Sequence, residues 1–175
     1  MNGRLICLLI AAGLTLFGCT NIPDGVTPVK GFEKQRYLGT WYEIARLDHS
    51  FERGLEQVTA TYTEREDGGV KVINQGFNPE KNEWKSAEGK AYFVDEPDIG
   101  HLKVSFFGPF YASYVIAELD KENYDYALIT GPDTSFLWIL SRTPTLSENT
   151  LERLVKQAQQ YGFDTSELIL VNHKS

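Results

Sequence analysis

One short stretch of this sequence combines residue types that could perform nucleophilic and acid–base chemistry. Asp48, His49 and Ser50 supply the three residue types of a hydrolytic triad. Consecutive residues cannot adopt that geometry, because the nucleophile, its base and the orienting acid must come from separate elements that meet in space. The chain also lacks the G-x-S-x-G turn that exposes a nucleophilic serine in α/β-hydrolases. We therefore predict no catalytic residues here.

Metal and phosphate chemistry are disfavoured as well. His49, His101 and His173 lie far apart, without the spacing of a metal site. No glycine-rich phosphate loop is present. The net charge of −7 and the pI near 5 argue against a surface for nucleic acid. We predict no cofactor, no metal ion and no nucleic-acid partner.

Cys19 carries the chemistry that the sequence does favour. It follows an apolar run, residues 5–17, and the small residue Gly18 directly precedes it. The run is shorter than the roughly 20 residues that span a bilayer, and it matches a signal-peptide core with Arg4 as its positive start. The arrangement resembles the lipobox of bacterial lipoproteins. That resemblance implies cleavage before Cys19 and acylation of the new N-terminus, with palmitate as a typical acyl group.

The chain divides accordingly into three segments. We predict a cleaved signal peptide over residues 1–18, a lipidated flexible tether over 19–31, and one domain over 32–175. Cys7 would leave with the signal peptide, so the mature chain has no internal disulfide. Thr20 stands where an Asp would favour inner-membrane retention, so the resemblance implies the periplasmic face of the outer membrane. The alternative for residues 1–18 is an uncleaved anchor or a core helix.

The domain follows a β-rich pattern with one helix near its end. Turn residues separate eight short stretches rich in β-branched and aromatic residues, which predicts a sandwich or an up-and-down barrel. These predicted strands are 40–47, 57–66, 70–77, 84–94, 102–107, 114–119, 126–130 and 136–141. A short helical turn precedes them over 33–38. Ser147 can cap an amphipathic helix that Gly162 terminates, and residues 168–171 form a last strand.

Two distant motifs suggest how the sheet closes. Gly39 and Trp41 form a G-x-W motif at the first strand, and Arg142 follows the eighth. An indole can plug the end of a barrel, and a guanidinium can stack on it. Asp125 and Tyr126 follow Tyr124, which stands in the place of Thr in a T-D-Y sequence.

Together these motifs resemble the lipocalin family over residues 31–172, and within it the bacterial outer-membrane lipoproteins. The resemblance implies an all-β fold, an eight-stranded antiparallel up-and-down barrel with a C-terminal α-helix and a short ninth strand. The alternative is an unrelated β-sandwich.

Side-chain alternation along the strands predicts a cavity inside this barrel. If Trp41 points inward, Glu43, Ala45 and Leu47 share its face. Each residue taken alone is more often ordinary core than a ligand contact, so the prediction depends on the set. The predicted lining consists of Glu43, Ala45, Ala60, Tyr62, Phe93, Val104, Phe106, Tyr111, Trp138 and Leu140.

Three functions fit such a barrel. The resemblance implies a non-enzymatic carrier that stores or transports fatty acids, lysophospholipids or related lipids for envelope maintenance. An enzyme acting on a lipid or retinoid is the second hypothesis, with Glu43 as its acid. A scaffold that binds envelope partners on the outer barrel face is the third. The sequence leaves a homodimer open.

Overall fold

The computed structural model describes residues 20–173, and all structural statements below refer to that part of the chain. The predicted signal peptide and Cys19 lie outside it. The elements are α1 (Lys34–Tyr37), β1 (Gly39–Arg46), β2 (Glu56–Glu64), β3 (Val70–Asn78), β4 (Glu83–Phe93), β5 (His101–Ser105), β6 (Ala112–Leu119), β7 (Tyr126–Thr130), β8 (Leu137–Ser141), α2 (Glu148–Gln160), a 3₁₀ turn (Thr165–Glu167) and β9 (Ile169–Leu170).

The strands close into a barrel. Each strand from β1 to β8 pairs antiparallel with the next, and β8 returns to β1. Residues 39–42 of β1 pair with β2, whereas Ala45 and Arg46 pair with β9. The ninth strand therefore lies beside β1 where β2 has diverged from it. This confirms the predicted eight-stranded barrel, its helix and its extra strand.

Antiparallel connections give the barrel two distinct ends. Loops 47–55, 79–82, 106–111 and 131–136 join the strands at one end, which we call the open end. Loops 65–69, 94–100 and 120–125 lie at the other, together with α1. We call this the closed end, since α1 and the side chains near it cover the barrel there.

Two hydrophobic clusters stabilise the fold, one on each face of the sheet. The inner cluster fills the barrel near the closed end and includes Trp41, Tyr62 and Leu140. The outer cluster lies between the sheet and α2, with Leu154 and Ala158 as the helix residues that are fully buried. The Ser147 hydroxyl accepts from the Thr150 backbone amide at 3.2 Å, so the predicted N-cap is confirmed. No helix among residues 20–173 has both the length and the apolar character to cross a membrane.

Residues 20–31 pack along the outside of the barrel instead of forming a free tether. Val26 is buried in the outer cluster. The Val29 amide donates to the Ile116 carbonyl at 2.9 Å, and Lys30 forms an isolated bridge with Ile99 near the closed end. The segment predicted as a flexible tether therefore packs on the barrel from about Ile22 onward, because Ile22 and Val26 lie against the outer cluster and Val29 against the inner one. We call residues 20–31 the N-terminal strap.

Candidate binding site

Trp41 and Arg142 seal the closed end. Trp41 is fully buried, and its indole nitrogen donates to the Tyr37 carbonyl at 2.8 Å. The Arg142 guanidinium carbon lies 4.0 Å from the centre of the indole ring system. Its nitrogens donate to the carbonyls of Arg36 at 2.7 Å and Thr40 at 3.1 Å. One cation thus holds the plug, α1 and β1 together.

Gly39 allows that close approach. Its φ is +98°, and a Cβ at this position would lie 3.3 Å from an Arg142 guanidinium nitrogen. A larger residue would meet both backbone strain and crowding. The other predicted motif residues lie nearby. The Asp125 carbonyl accepts from the Arg142 amide at 2.8 Å, Tyr126 begins β7, and the Tyr124 hydroxyl accepts from the Glu33 amide at 3.0 Å.

A chain of tyrosine hydroxyls forms the floor above this seal. The Tyr114 hydroxyl lies 2.7 Å from that of Tyr37 and 2.8 Å from that of Tyr62. Burial raises the pKa of all three phenols, so they stay neutral and bond to one another. Tyr62, predicted as lining, therefore belongs to the packed floor. Phe93 also lies low, with its ring 6.0 Å from that of Phe32.

Above the floor the interior becomes accessible to solvent. On β2, Tyr62 is buried, but Ala60, the next residue on the same face, is half-buried. On β8, Leu140 is buried and Trp138 half-buried. The same change separates Leu102 from Val104 on β5. On these three strands the inward side chain directly above the floor is more exposed than the one within it, although Val58, further up β2, is buried. The barrel is therefore a cup with a sealed floor and a partly open upper part.

The upper wall is largely apolar. Ala60, Val104, Phe106 and Trp138 are half-buried and pack against the inner cluster. The Phe106 ring lies over Gly89, where a Cβ would come within 2.8 Å of it. Asn74 lies opposite Ala60 on β3, and its Oδ1 is buried without a hydrogen-bond partner within the described residues. The hollow therefore offers apolar walls and one unsatisfied acceptor.

A buried charge cluster lies in the wall beside Trp138. The Arg46 guanidinium donates to the Glu43 Oε1 at 2.7 Å and to the carbonyls of Glu52 and Leu55 at 3.1 Å. The Trp138 indole donates to the Glu52 Oε1 at 2.8 Å. Burial, reinforced by the charge of Glu52, raises the pKa of Glu43 to about 8, and burial also raises that of Glu52. One retained proton makes this cluster of two acids and one base neutral.

The inward orientation predicted for Ala45 and Leu47 is wrong. Both residues belong to the outer cluster, against the helix side of the sheet. The reason is an irregularity in β1: Glu43 pairs with Leu140 and Ala45 with Ile139, so two residues of β1 advance for one of β8. Such a β-bulge reverses the alternation beyond it. Arg46 is therefore the residue that follows Glu43 inside the barrel.

Tyr111 lies in the open-end loop 106–111, but its side chain does not face the hollow as predicted. Its ring lies 6.3 Å from that of Tyr92, and the Lys103 ammonium lies 5.4 Å from its centre. Lys103 alternates with the inward Leu102 and Val104, so Tyr111 packs on the outer face of the barrel. It does not share a surface with Trp138.

Sequence reasoning missed the residues that surround Trp138. The His49 ring stacks on that of Phe136 with centres 4.5 Å apart, and it lies 5.2 Å from the Trp138 ring. His49 therefore belongs to an aromatic stack, and its neighbours Asp48 and Ser50 are not part of that stack. Among residues 20–173 no group of three or more His, Cys, Asp or Glu could hold a metal ion. Only loop geometry brings these rings together, and no spacing in the sequence indicates it.

Comparison with known proteins gives one consistent family. The sequence profile of the lipocalin-like domain matches residues 32–173. The outer membrane lipoprotein Blc of Vibrio cholerae is 57% identical over 166 residues, covering 95% of this chain and 97% of the relative. Blc of Escherichia coli K12 is 53% identical over 172 residues, with 96% and 97% covered. Temperature-induced lipocalin-1 of Arabidopsis thaliana is 38% identical over 150 residues, with 80% and 78% covered.

Solved structures agree on the architecture. Insecticyanin of the tobacco hornworm Manduca sexta superimposes with a TM-score of 0.69 over 89% of this chain and 88% of its own. Sequence identity in that comparison is 22%, so it supports the fold alone.

Proposed function

Because the chain belongs to the lipocalin-like family, we propose that it binds and carries single lipid molecules in the upper part of its barrel. Its location is the outer membrane, as for the bacterial relatives that match almost its whole length. We further propose that Cys19 bears the acyl anchor there. The ligands we propose are fatty acids, lysophospholipids or related lipids with one acyl chain.

The observation that carries this proposal is the change in exposure along the inward strand faces. A barrel packed throughout would bury Ala60, Val104 and Trp138 as completely as Tyr62, Leu102 and Leu140. Instead the first three are half-buried, each one position nearer the open end. An apolar wall that water can reach gains free energy when an acyl chain covers it.

The size of that gain fits a reversible carrier. Burying an acyl chain yields about 0.8 kcal/mol for each CH₂ group before ordering costs. A chain of about twelve carbons therefore supplies roughly 10 kcal/mol, and micromolar binding needs about 8 kcal/mol. The carboxylate or phosphate head would stay near the mouth, since charge is costly to bury unpaired. The Asn74 Oδ1 could accept a hydrogen bond from a ligand hydroxyl that reaches the level of Ala60.

Binding without turnover is part of the proposal. Glu43 is the inward acid that an enzyme would need, but its Oε1 is engaged by Arg46 and the residue is buried. An acid already committed to a wall contact is poorly placed to exchange protons with a lipid above the floor. Turnover of a lipid or retinoid that is lost in Glu43→Gln would contradict this part of the proposal.

A variant that fills the hollow tests the ligand site. Ala60→Trp places an indole on the inward face of β2, whereas Thr63→Trp places the same group on an exposed, outward position of that strand. We expect Ala60→Trp to weaken binding of a fluorescent fatty acid at least tenfold, because the acyl chain and the indole compete for one volume. Thr63→Trp should bind like the wild type. Equal affinity in both variants, with circular dichroism showing intact barrels, would refute the site.

A further inference from the structure

Exposed aromatic side chains are concentrated at the open end. Phe107 is 79% exposed, Phe110 76%, Phe51 60% and Trp84 59%. Phe107 and Phe110 lie in loop 106–111, Phe51 in loop 47–55, and Trp84 just after loop 79–82. Within residues 20–173 no other large aromatic residue reaches this exposure. We call these four residues the aromatic rim.

The rim has the chemistry of a surface that meets lipid. Loop 106–111 contains three phenylalanines, a tyrosine, a glycine and a proline, and no charged residue. Next to Phe51, the charges of Asp48 and Arg53 neutralise each other in an ion pair at 2.6 Å. Single exposed apolar residues are normal, but several that surround one opening mark an interaction site. The absence of a basic cluster in these loops points to apolar contact as the driving force.

The N-terminal strap shows at which end of the barrel the described chain begins. Residues 21–24 line a surface depression together with Pro132, Asp133 and Thr134 of the open-end loop 131–136. From there the strap runs along the barrel to the Lys30–Ile99 bridge at the closed end. Cys19 is one residue before Thr20, and consecutive Cα atoms are about 3.8 Å apart. An acyl group on Cys19 would therefore leave the molecule beside the rim.

We propose that the aromatic rim is a membrane-docking surface, which inserts into the same bilayer that holds the acyl chains of Cys19. In this orientation the cup opens onto the lipid surface. A lipid could then pass between bilayer and hollow without crossing water. The inference rests on the proposed anchor at Cys19 and does not depend on the identity of the ligand.

Spin labels can determine which end of the barrel meets the bilayer. The mature lipidated protein is reconstituted into phosphatidylcholine vesicles with a nitroxide on Phe110→Cys or on Val94→Cys. Val94 is an exposed apolar residue in the closed-end loop 94–100 and serves as the matched control. Cys19 is the only cysteine of the predicted mature chain and would be blocked by acylation, so each label has one site. Accessibility to oxygen, which enters bilayers, is compared with accessibility to a water-soluble nickel chelate.

We expect the ratio of oxygen to nickel accessibility to be several-fold higher at Phe110 than at Val94. The difference should persist in 1 M salt, because apolar contacts are not screened. An aqueous environment at both positions, or a membrane environment at Val94, would overturn docking by the rim. Failure of the protein to float with the vesicles would overturn the anchor on which the inference depends. Fatty-acid titration in detergent-free solution tests the ligand site independently.

Discussion

At the residue scale, the single side chain of Arg142 links Trp41, α1 and β1 at the closed end. It stacks on Trp41 and donates to the carbonyls of Arg36 in α1 and Thr40 in β1. A lysine keeps the charge but has neither the planar face nor the fork of donors. We expect Arg142→Lys to lower the free energy of unfolding by about 2–4 kcal/mol, the sum of a lost cation–π contact and about two hydrogen bonds. Urea denaturation measures this difference.

Arg153 supplies the matched control for that experiment. Its guanidinium lies 5.2 Å from the Tyr126 ring centre, on the exposed surface of α2. Arg153→Lys removes a cation–π contact of the same kind without disturbing the seal, so we expect a change within about 0.5 kcal/mol. Equal losses in the two variants would mean that stacking alone, and not the link to α1, stabilises the closed end.

At the scale of elements, alternation and turn signals predicted most of the barrel but not its irregular places. The order of strands and helices matches the expectation, because each strand carries its own apolar pattern. The bulge in β1 has no local signal, since it arises where the strand leaves β2 and joins β9. One extra residue there was enough to exchange Ala45 for Arg46 inside the barrel. The contacts of loop residues such as Tyr111 and His49 likewise form only when the barrel closes, so the local sequence does not indicate them.

The N-terminal strap is an element that composition alone misrepresents. Its prolines and glycines resemble a linker, yet Val26 is buried against the residues that also meet α2. We expect Val26→Ala to lower the free energy of unfolding by about 1–2 kcal/mol, because two buried methyl groups are lost. Thr27→Ala, at the exposed neighbouring position, should have no measurable effect in the same denaturation experiment. A silent Val26→Ala would indicate that the strap is detached from the barrel in solution.

At the scale of the whole molecule, the interior of the barrel is tightly packed at one end and partly open at the other. Aromatic packing stabilises the closed end. In the open part, apolar side chains are less completely buried, so a ligand can contact them. The outer cluster beneath α2 compensates, because it buries a second apolar surface on the other face of the same sheet. The strap runs along this outer face from the open end to the closed end.

The buried charge cluster makes the stability of this whole fold depend on pH. The pKa of Glu43 is raised from 4.5 to about 8, so the folded protein keeps a proton that the unfolded chain releases above pH 4.5. Unfolding then releases a proton, and the free energy of unfolding falls as pH rises through this interval. Glu43→Gln imitates the protonated acid and still accepts from Arg46. We expect the wild type to lose roughly 2–3 kcal/mol between pH 5.5 and pH 7.5 that Glu43→Gln retains.

Urea denaturation at these two pH values measures the difference. Glu80→Gln, in the exposed loop 79–82, is the control, because it also removes one acid from a chain of net charge −7. The control should follow the wild type, because Glu80 is exposed and lies outside the buried charge cluster. Parallel pH profiles for the wild type and Glu43→Gln would mean that Glu43 is ionised in the fold. The cluster would then carry a buried negative charge, and its two acids and one base would no longer form a neutral wall beside the hollow.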